Sequence, residues 1–515
     1  MIYLYTLPGI NFNYPDIRNI LYKTYLQENK IKYKFNDYTL YFLNKILINK
    51  NFTSLNIDIE QIKKDIKSKD KSLLDANCRF MNAINLYLQK FGLSFSNNRG
   101  FNYLNSIITM DDLILTSDLI SNFMKLFPID NYNNNDIIFF NVTYGFQVPM
   151  AICISKRIKN QNENVKIIWG GNYLTQINKN CYELINKLEF LDAIIIFNHV
   201  KTFKDIINYF SNKKVNLNNT ILKNKKNPII KDIKDDIKYY YLDYCDISLK
   251  DYLSRDAIMP LLLNYGCYHH QCKFCSHFYH YGNFMKMNFE KTCKMLKKEY
   301  FNNKFDSIVF VDECILPSTI IDFAKFLLDN NIKTKWMMET RISSEYLDLN
   351  KVKLLADSGL KFVSFGIESY NKRILKLMNK GINYSNIKTV LKNFYKNNII
   401  VASTFMINYP KENYFNIIKT LFFISHFKYI DVFGLNIFTL TRNSELCDSM
   451  NYDYSDIMLT YRYKHDCRNF MKCVIKIFNQ KKKIKHISNI KSNLLNRCDY
   501  FYLDINDFSI NKRKV

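Results

Sequence analysis

The sequence predicts an α/β protein in two parts, a doubly wound parallel sheet followed by an open (βα)6 barrel. Short apolar runs alternate with amphipathic segments through most of the 515 residues, a pattern typical of parallel sheets covered by helices on both faces. The alternation is interrupted once and restarts near residue 255, which indicates two separate sheets. Because 48% of the residues are hydrophobic, the chain has enough apolar material for a core in each part.

The first part spans residues 1–200 and is predicted to hold five strands. These strands are Ile2–Leu7, Ile31–Phe35, Asp136–Thr143, Val165–Trp169 and Asp192–Phe197. Helices are expected between them, and a polar, mostly helical insertion is expected at about 51–130. In a sheet of this kind the ligand binds at the carboxyl ends of the strands.

Residues 201–254 are basic and mixed in character and are predicted to be a linker. Residues 255–445 then contain six βα units, with strands expected at 257–264, 306–311, 335–339, 362–367, 399–407 and 432–439. Six units are too few to close an eight-stranded barrel, so an open (βα)6 barrel is expected. The basic C-terminal extension, residues 446–515, has weak periodicity and no predicted fold.

The formal charge of +26 comes from lysines that are spread along the whole chain. One tight basic run occurs at residues 481–485, and such runs are usually solvated. The charge therefore favours acidic partners only weakly and does not by itself predict nucleic-acid binding. No apolar stretch of 18 residues and no secretory signal are found, so we expect a cytoplasmic protein without membrane contact.

Three cysteines, Cys267, Cys272 and Cys275, lie within nine residues directly after the first predicted barrel strand. Thiolates bind soft metal centres, so this loop is predicted to hold iron–sulfur or zinc. Zinc would need a fourth ligand, for which the nearby histidines are His269, His270, His277 and His280. Structural zinc sites usually pair two knuckles, however, and no second Cys-x2-Cys occurs. Three thiolates suit a [4Fe–4S] cluster with one iron left open, which makes iron–sulfur the favoured hypothesis.

The cysteine loop resembles that of the radical S-adenosylmethionine (SAM) superfamily, whose usual spacing is Cys-x3-Cys-x2-Cys. Four residues separate the first two cysteines here, and Gly266-Cys267-Tyr268 with Cys272-Lys273-Phe274-Cys275 matches the loop of cobalamin-domain members that modify peptides. Phe365-Gly366-Ile367-Glu368-Ser369 resembles the family's Gly-Ile-Glu-Ser segment. The helix after it leads into Met378-Asn379-Lys380-Gly381, as the family's helix does. The resemblance covers about residues 255 to 445.

The resemblance implies a SAM site at the carboxyl ends of the barrel strands. The implied residues are Phe274, Asp312, Glu313, Arg341, Gly366, Glu368 and Ser369. In the family the aromatic before the last cysteine lies by the adenine, the end of the second strand contacts the methionine part of SAM, and the glutamate of Gly-Ile-Glu-Ser accepts from the ribose or amino group. Arg341 is expected to meet a carboxylate in a bidentate pair. Residues 408–412 stand where relatives have Gly-x-Pro-x-Glu-Thr, but Asn408 replaces the glycine.

The first part resembles the Rossmann-like cobalamin-binding domain that precedes the barrel in one branch of the family. The resemblance lies in residues 141–149 and 167–172, and it implies a cobalamin site that includes Thr143, Gln147, Gly170 and Gly171. The family's Asp-x-His-x-x-Gly motif is missing, and no histidine occurs before His199. Either cobalamin binds without a protein histidine ligand, or this domain has lost the cofactor.

The leading hypothesis is a cobalamin-dependent radical SAM enzyme that methylates or otherwise modifies an unactivated carbon in a peptide or small molecule. The resemblance also implies an electron donor such as a flavodoxin or ferredoxin. One alternative is a tRNA-modifying methylthiotransferase, but its second triple-cysteine cluster would have to come from Cys78, Cys153 and Cys181, which are far apart. The other alternative is a zinc-binding nucleic-acid adaptor, which would fit the positive charge.

Overall fold

A computed structural model describes residues 1–8, 11–96, 100–103, 109–115, 118–197, 199–225, 229–230, 237–276, 282–450 and 460–462. The chain divides into two compact units. The first includes Met1–Ile258 and Tyr279–Phe305, and the second includes Met259–Phe278 and Asp306–Tyr452. The basic run at residues 481–485 and most of the C-terminal extension lie outside the described residues.

The sheet of the first unit has six strands: β1 (Ile2–Thr6), β2 (Tyr33–Asp37), β3 (Ile137–Asn141), β4 (Lys166–Gly170), β5 (Ala193–Ile195) and β6 (Thr220–Leu222). Their order is β2-β1-β3-β4-β5-β6. The first five run parallel, and every residue of β1 and β3 is buried. The strand order reverses at β1, so the crevice between the carboxyl ends of β1 and β3 is where ligands of such sheets bind.

The helices predicted between the strands of the first unit are present, and several begin at side-chain caps. The helix Phe289–Phe301, in the range predicted as the barrel, belongs to the first unit instead. The α-helices are Ile17–Glu28, Tyr38–Tyr41, Asn49–Phe52, Ile59–Lys67, Leu73–Gln89, Met110–Ile114, Asp118–Lys125, Gln147–Gln161, Asn172–Gln176, Asn178–Lys187, Val200–Phe210 and Phe289–Phe301. Asp16, Asp58 and Ser72 each accept a backbone N–H of the helix that follows, which satisfies a donor left free at the helix start. The region expected as an insertion is helical apart from a hairpin of Leu93–Ser96 and Gly100–Tyr103.

The segment expected to be a linker, residues 201–254, contains regular structure that belongs to the first unit. Helix Val200–Phe210 buries Phe203, Ile206 and Ile207 on one face, and β6 pairs antiparallel with β5. The first sheet thus continues beyond the boundary predicted at residue 200. A three-residue strand is too short to show a period of two, which explains why the sequence pattern did not reveal it.

The second unit holds six strands in chain order: β7 (Ile258–Leu261), β8 (Ser307–Phe310), β9 (Lys335–Thr340), β10 (Leu360–Glu368), β11 (Ile400–Ile407) and β12 (Val432–Ile437). The neighbouring strands from β8 to β12 pair in parallel, as predicted. The helices are Pro317–Asp329, Leu349–Asp357, Lys372–Leu377, Asn386–Lys396, Tyr414–His426 and Glu445–Ser449. The predicted α/β class with parallel sheets is confirmed.

The described residues also form several short helical turns and strands. They are the π-helix Phe42–Ile46, the 3-10 turns Thr53–Leu55, Ile237–Tyr239, Leu249–Asp251 and Ser344–Leu347, and the strands Asn264–Tyr265, Met285–Lys286, Thr439–Thr441 and Thr460–Arg462. Among the described residues, none of the helices has both the length and the hydropathy needed to cross a bilayer.

Candidate active site

The cysteine loop starts where β7 ends, and Asp312 anchors its first residues. The backbone N–H groups of Leu263 and Asn264 donate to Asp312 Oδ1 at 3.1 Å and 2.6 Å. Asp312 is only 2% exposed, and burial raises the pKa of its carboxyl to about 7 in spite of these hydrogen bonds. In the structure this carboxylate fixes the base of the loop, and the expected contact of Asp312 with SAM stays a prediction.

The three predicted ligand cysteines form no disulfide bond and remain partly accessible. A turn brings the last two together, because the Cys275 N–H donates to the Cys272 carbonyl at 3.0 Å. Lys273, inside that turn, accepts from the Leu446 N–H at 2.9 Å and pairs with Glu445 at 2.8 Å. Asp312 therefore holds the start of the loop and Leu446 holds its last turn, while the three cysteines remain partly accessible to solvent.

A fourth cysteine, Cys314, lies beside the first ligand cysteine and was not predicted from the sequence. Cys267 and Cys314 form a parallel bridge pair, and Cys314 is 2% exposed. A hydrogen bond from the Cys314 thiol lowers the pKa of Cys267 to about 5, whereas burial raises the pKa of Cys314 well above its usual value. The only sequence signal was its place directly after Glu313, at the end of β8.

Arg341 follows β9 and lies against the second ligand cysteine. Its Nη1 is 3.7 Å from Cys272 Sγ, and its Nη2 donates to the Lys380 carbonyl. Arg341 is buried, and its guanidinium contacts a thiol and a carbonyl of the protein. The expected bidentate pair with a carboxylate stays a prediction. Burial raises the pKa of Cys272, and the charges of Lys380 and Arg341 oppose that effect.

A buried ion pair forms the wall next to the cysteine loop. Lys380 Nζ donates to Glu368 Oε1 at 3.1 Å and lies 5.7 Å from the centre of the Phe274 ring. Burial disfavours the charged lysine, but Glu368 and Cys272 outweigh it and raise the pKa of Lys380. A Cβ on Gly366 would lie 2.9 Å from Glu368 Oε1 and 3.1 Å from Lys380 Nζ, so a larger residue there would displace the ends of these two side chains. Lys380 was not predicted as a site residue.

The turn after β11 closes around the same aromatic ring. Tyr409 contacts Phe274 edge-on, with ring centres 6.5 Å apart, and its N–H donates to Glu412 Oε2 at 3.1 Å. Burial raises the pKa of Glu412 to about 7. Asn408 has a φ of 67°, in the left-handed region that asparagine tolerates better than most residues. Asparagine therefore adopts a left-handed conformation at the position where the resemblance leads us to expect glycine.

The remaining predicted residues of the second unit, Glu313, Ser369 and the histidines of the loop, differ in their burial and in the groups that they contact. Glu313 is half-buried at the end of β8, whereas Ser369 is fully buried and its Oγ lies 3.3 Å from Thr420 Oγ1. Ser369 thus holds a helix in place. His269 and His270 contact backbone carbonyl groups of Asn379 and Cys267 at 2.9 Å and 3.2 Å. His277 and His280 lie outside the described residues.

In the first unit, Gln147 ties together the ends of β1 and β3. Its Oε1 accepts from the N–H groups of Thr143 and Tyr144 at 2.8 Å and 3.2 Å, and its Nε2 donates to the Leu7 carbonyl at 3.3 Å. Gly171 has a φ of 123°, and a Cβ there would lie 2.2 Å from the Val142 oxygen. A Cβ on Gly170 would lie 2.7 Å from Ile195 Cγ1. The packing of the chain itself therefore requires both glycines.

Asn141, at the carboxyl end of β3, was not named among the candidate residues. It is 1% exposed, and neither its Oδ1 nor its Nδ2 has a hydrogen-bond partner in the protein. A buried amide left unsatisfied costs about 1–3 kcal/mol per polar group, so such residues are usually completed by a ligand or water. It lies at the same strand end as Thr143 and Gln147.

The described residues contain no preassembled metal site, because no three His, Cys, Asp or Glu side chains are grouped closely enough. Cys78, Cys153 and Cys181 lie on three different helices. The cysteine loop nevertheless fits a soft metal centre: three free thiols share nine residues, and two cationic side chains, Arg341 and Lys380, lie close to Cys272.

Residues 261–424 match the model of a protein family described as the radical SAM superfamily. The second unit carries a radical SAM domain. The matched range runs from β7 to the helix Tyr414–His426 and includes the cysteine loop, Glu368 and Lys380.

About half of the chain is similar in sequence to the uncharacterized methyltransferase PH0819 of Pyrococcus horikoshii. It is 22% identical over 272 residues, which cover 51% of this chain and 58% of the relative. The cobalamin-dependent SAM radical enzyme OxsB has a similar fold, with a TM-score of 0.56, 15% identity, and coverage of 87% of this chain and 55% of OxsB. The radical SAM methyltransferase TsrM from Kitasatospora setae aligns with a TM-score of 0.55, 10% identity, and coverage of 87% and 75%. The chain thus spans a little over half the length of PH0819 and of OxsB.

Proposed function

We propose that this chain is a radical SAM enzyme in which Cys267, Cys272 and Cys275 hold a [4Fe–4S] cluster. The observation that carries the proposal is a loop of three accessible thiols, anchored at its base by Asp312, within a radical SAM domain. When bound, the cluster supplies the electron that cleaves the sulfonium of SAM. In this proposal the six strands β7–β12 form the open (βα)6 barrel that surrounds the reaction.

The residues around the loop are proposed to bind and orient SAM. Phe274 provides an aromatic face for the adenine, Glu368 accepts from the ribose or amino group, and Glu313 contacts the methionine part. Lys380 holds the Glu368 carboxylate in place by a hydrogen bond in a buried environment. Phe274, Tyr409 and the turn at 408–412 exclude water from the radical chemistry.

We further propose that the first unit binds cobalamin, without a histidine ligand from the protein, and that the reaction methylates an unactivated carbon of a peptide or small molecule. The support is the reversal of strand order at β1, the unsatisfied amide of Asn141, and the fold shared with OxsB and TsrM. Gly170 and Gly171 would present bare backbone to the ligand. When bound, cobalamin supplies the methyl carrier.

The test of the cluster is anaerobic reconstitution of the full chain with iron and sulfide. We expect about four irons per chain, as one cluster requires, a brown colour, and release of 5′-deoxyadenosine when SAM and a reductant are added. Cys267→Ala, Cys272→Ala and Cys275→Ala should each lose iron and product, while Cys293→Ala, at a buried cysteine of the first unit, should retain both. Zinc in place of iron, or full turnover in any of the three ligand variants, would refute the proposal.

A further inference from the structure

A turn after helix Lys372–Leu377 contacts the cysteine loop at several points. This bracing turn comprises residues Met378, Asn379, Lys380 and Gly381. The Lys273 N–H donates to the Met378 carbonyl at 3.0 Å. Asn379 makes two further contacts: its Nδ2 donates to the Gln271 carbonyl at 2.9 Å, and its own carbonyl lies 2.9 Å from His269 Nε2.

The backbone of the bracing turn is shaped for this contact. Asn379 and Gly381 have φ values of 49° and 67°, both in the left-handed region. A Cβ on Gly381 would lie 2.2 Å from His269 Cε1, so the imidazole packs directly on the glycine backbone. The next carbonyl of the turn, that of Lys380, accepts from Arg341, whose other terminal nitrogen faces Cys272. The turn is thus connected both to the loop backbone and to one ligand sulfur.

We propose that Asn379 is a positioning residue that sets the shape of the loop between Cys267 and Cys272. This interval has four residues, and both contacts of Asn379 fall inside it, on His269 and Gln271. No cysteine fixes the chain at these positions, so an unbraced loop would lose more conformational entropy when its thiols gather around a metal centre. Asn379 reduces that cost by ordering the interval beforehand.

The inference rests on the proposed function in that the loop is taken to hold the cluster, but the ordering of the loop is measurable without iron. The test variant is Asn379→Gly, which keeps the left-handed backbone and removes only the side-chain amide. The matched control is Asn331→Gly, because Asn331 has a φ of 53° in the exposed turn that follows helix Pro317–Asp329.

Hydrogen exchange on the iron-free full chain gives the first measurement. We expect the amides of residues 267–275 to exchange about tenfold faster in Asn379→Gly than in the parent chain, which corresponds to roughly 1.4 kcal/mol. The control should leave this peptide unchanged. Equal exchange of the peptide in Asn379→Gly and the parent chain would overturn the inference.

Iron release to a chelator from the anaerobically loaded chain gives the second measurement. We expect about tenfold faster release in Asn379→Gly, with altered electron paramagnetic resonance of the reduced protein and an unchanged thermal midpoint of the iron-free chain. If the parent chain binds no iron, the proposed function fails, while the exchange result still decides the role of Asn379. If the parent chain binds iron and Asn379→Gly releases it at the same rate as the control, the inference is wrong.

Discussion

At the scale of single residues, the second unit contains a buried ion pair, formed by Lys380 and Glu368. The side chains of Lys380 and Glu368 are 9% and 14% exposed, and their charged ends lie 3.1 Å apart. Removing one member of a buried pair leaves an uncompensated charge, which usually costs more than the pair itself contributes. Replacing either Lys380 or Glu368 alone should therefore destabilise the fold more than replacing both together.

We expect Lys380→Met to lower the free energy of unfolding of the iron-free chain by about 3 kcal/mol, because Glu368 is left buried without its cation. Urea denaturation followed by fluorescence measures this. The double variant Lys380→Met with Glu368→Gln should recover at least half of the loss. A single variant as stable as the parent would show that the pair contributes nothing.

Glu412 predicts a dependence of stability on pH. Its folded pKa of about 7 lies above the value of about 4.3 for an unfolded glutamate. Between these values the folded chain holds a proton that the unfolded chain has lost, so stability falls as pH rises from about 4 to 7. We expect Glu412→Gln to remove up to about 1.4 kcal/mol per pH unit of this slope in denaturation experiments.

The control for this slope is Glu290→Gln. Glu290 is exposed, and a hydrogen bond from Lys294 lowers its pKa. It is therefore ionised in both folded and unfolded chains above pH 5, and its removal should not alter the slope between pH 5 and 7. If stability depended on pH in the same way in Glu412→Gln and in the parent chain, the Glu412 carboxyl would have to be solvated in the folded state.

The three candidate ligand cysteines could be named from the sequence because all three stand in one short segment. Cys314, Lys380 and Asn141 were not, because their roles arise from contacts between distant segments that no local pattern records. Arg341 and Ser369 were expected from their positions at strand ends, yet a strand end does not reveal which way a side chain turns or what it meets. The sequence thus predicts contiguous ligands better than the groups that support them.

At the scale of elements, each of the six predicted strands of the second unit is found, because long apolar runs in parallel sheets need no alternation to be recognised. The strand β6 was missed, since its two apolar residues, Ile221 and Leu222, lie between polar segments and form no longer apolar run. Some residues that connect one element to the next also have only one suitable amino acid. At Gly171 the chain passes against the Val142 carbonyl in a conformation that only glycine adopts readily.

We expect Gly171→Ala to destabilise the first unit by at least about 2 kcal/mol, since the new methyl group would overlap a backbone oxygen in a strained conformation. Thermal unfolding and the yield of folded protein measure the effect. The control is Gly434→Ala, where a Cβ would meet nothing closer than Thr404 Cγ2 at 3.8 Å. Equal thermal unfolding midpoints for Gly171→Ala and Gly434→Ala would contradict this account of Gly171.

At the scale of the whole molecule, the two compact units carry separate candidate sites. A ligand that binds only the folded state stabilises the unit that holds it, by about 2.7 kcal/mol at a hundredfold excess over its dissociation constant. We therefore expect iron loading to protect residues 306–450 and cobalamin to protect residues 1–222 in proteolysis with mass spectrometry. Protection of the second unit alone by cobalamin would place that ligand elsewhere.

The left-handed turn at Asn408 has a consequence for how such chains are recognised. The chain has 12 glycines in 515 residues, and asparagines such as Asn331, Asn379 and Asn408 occupy backbone conformations that glycine usually takes. In genomes whose base composition enriches asparagine at the expense of glycine, a signature written with an invariant glycine will overlook true members. A search that treats the two residues as equivalent at tight turns should retrieve them.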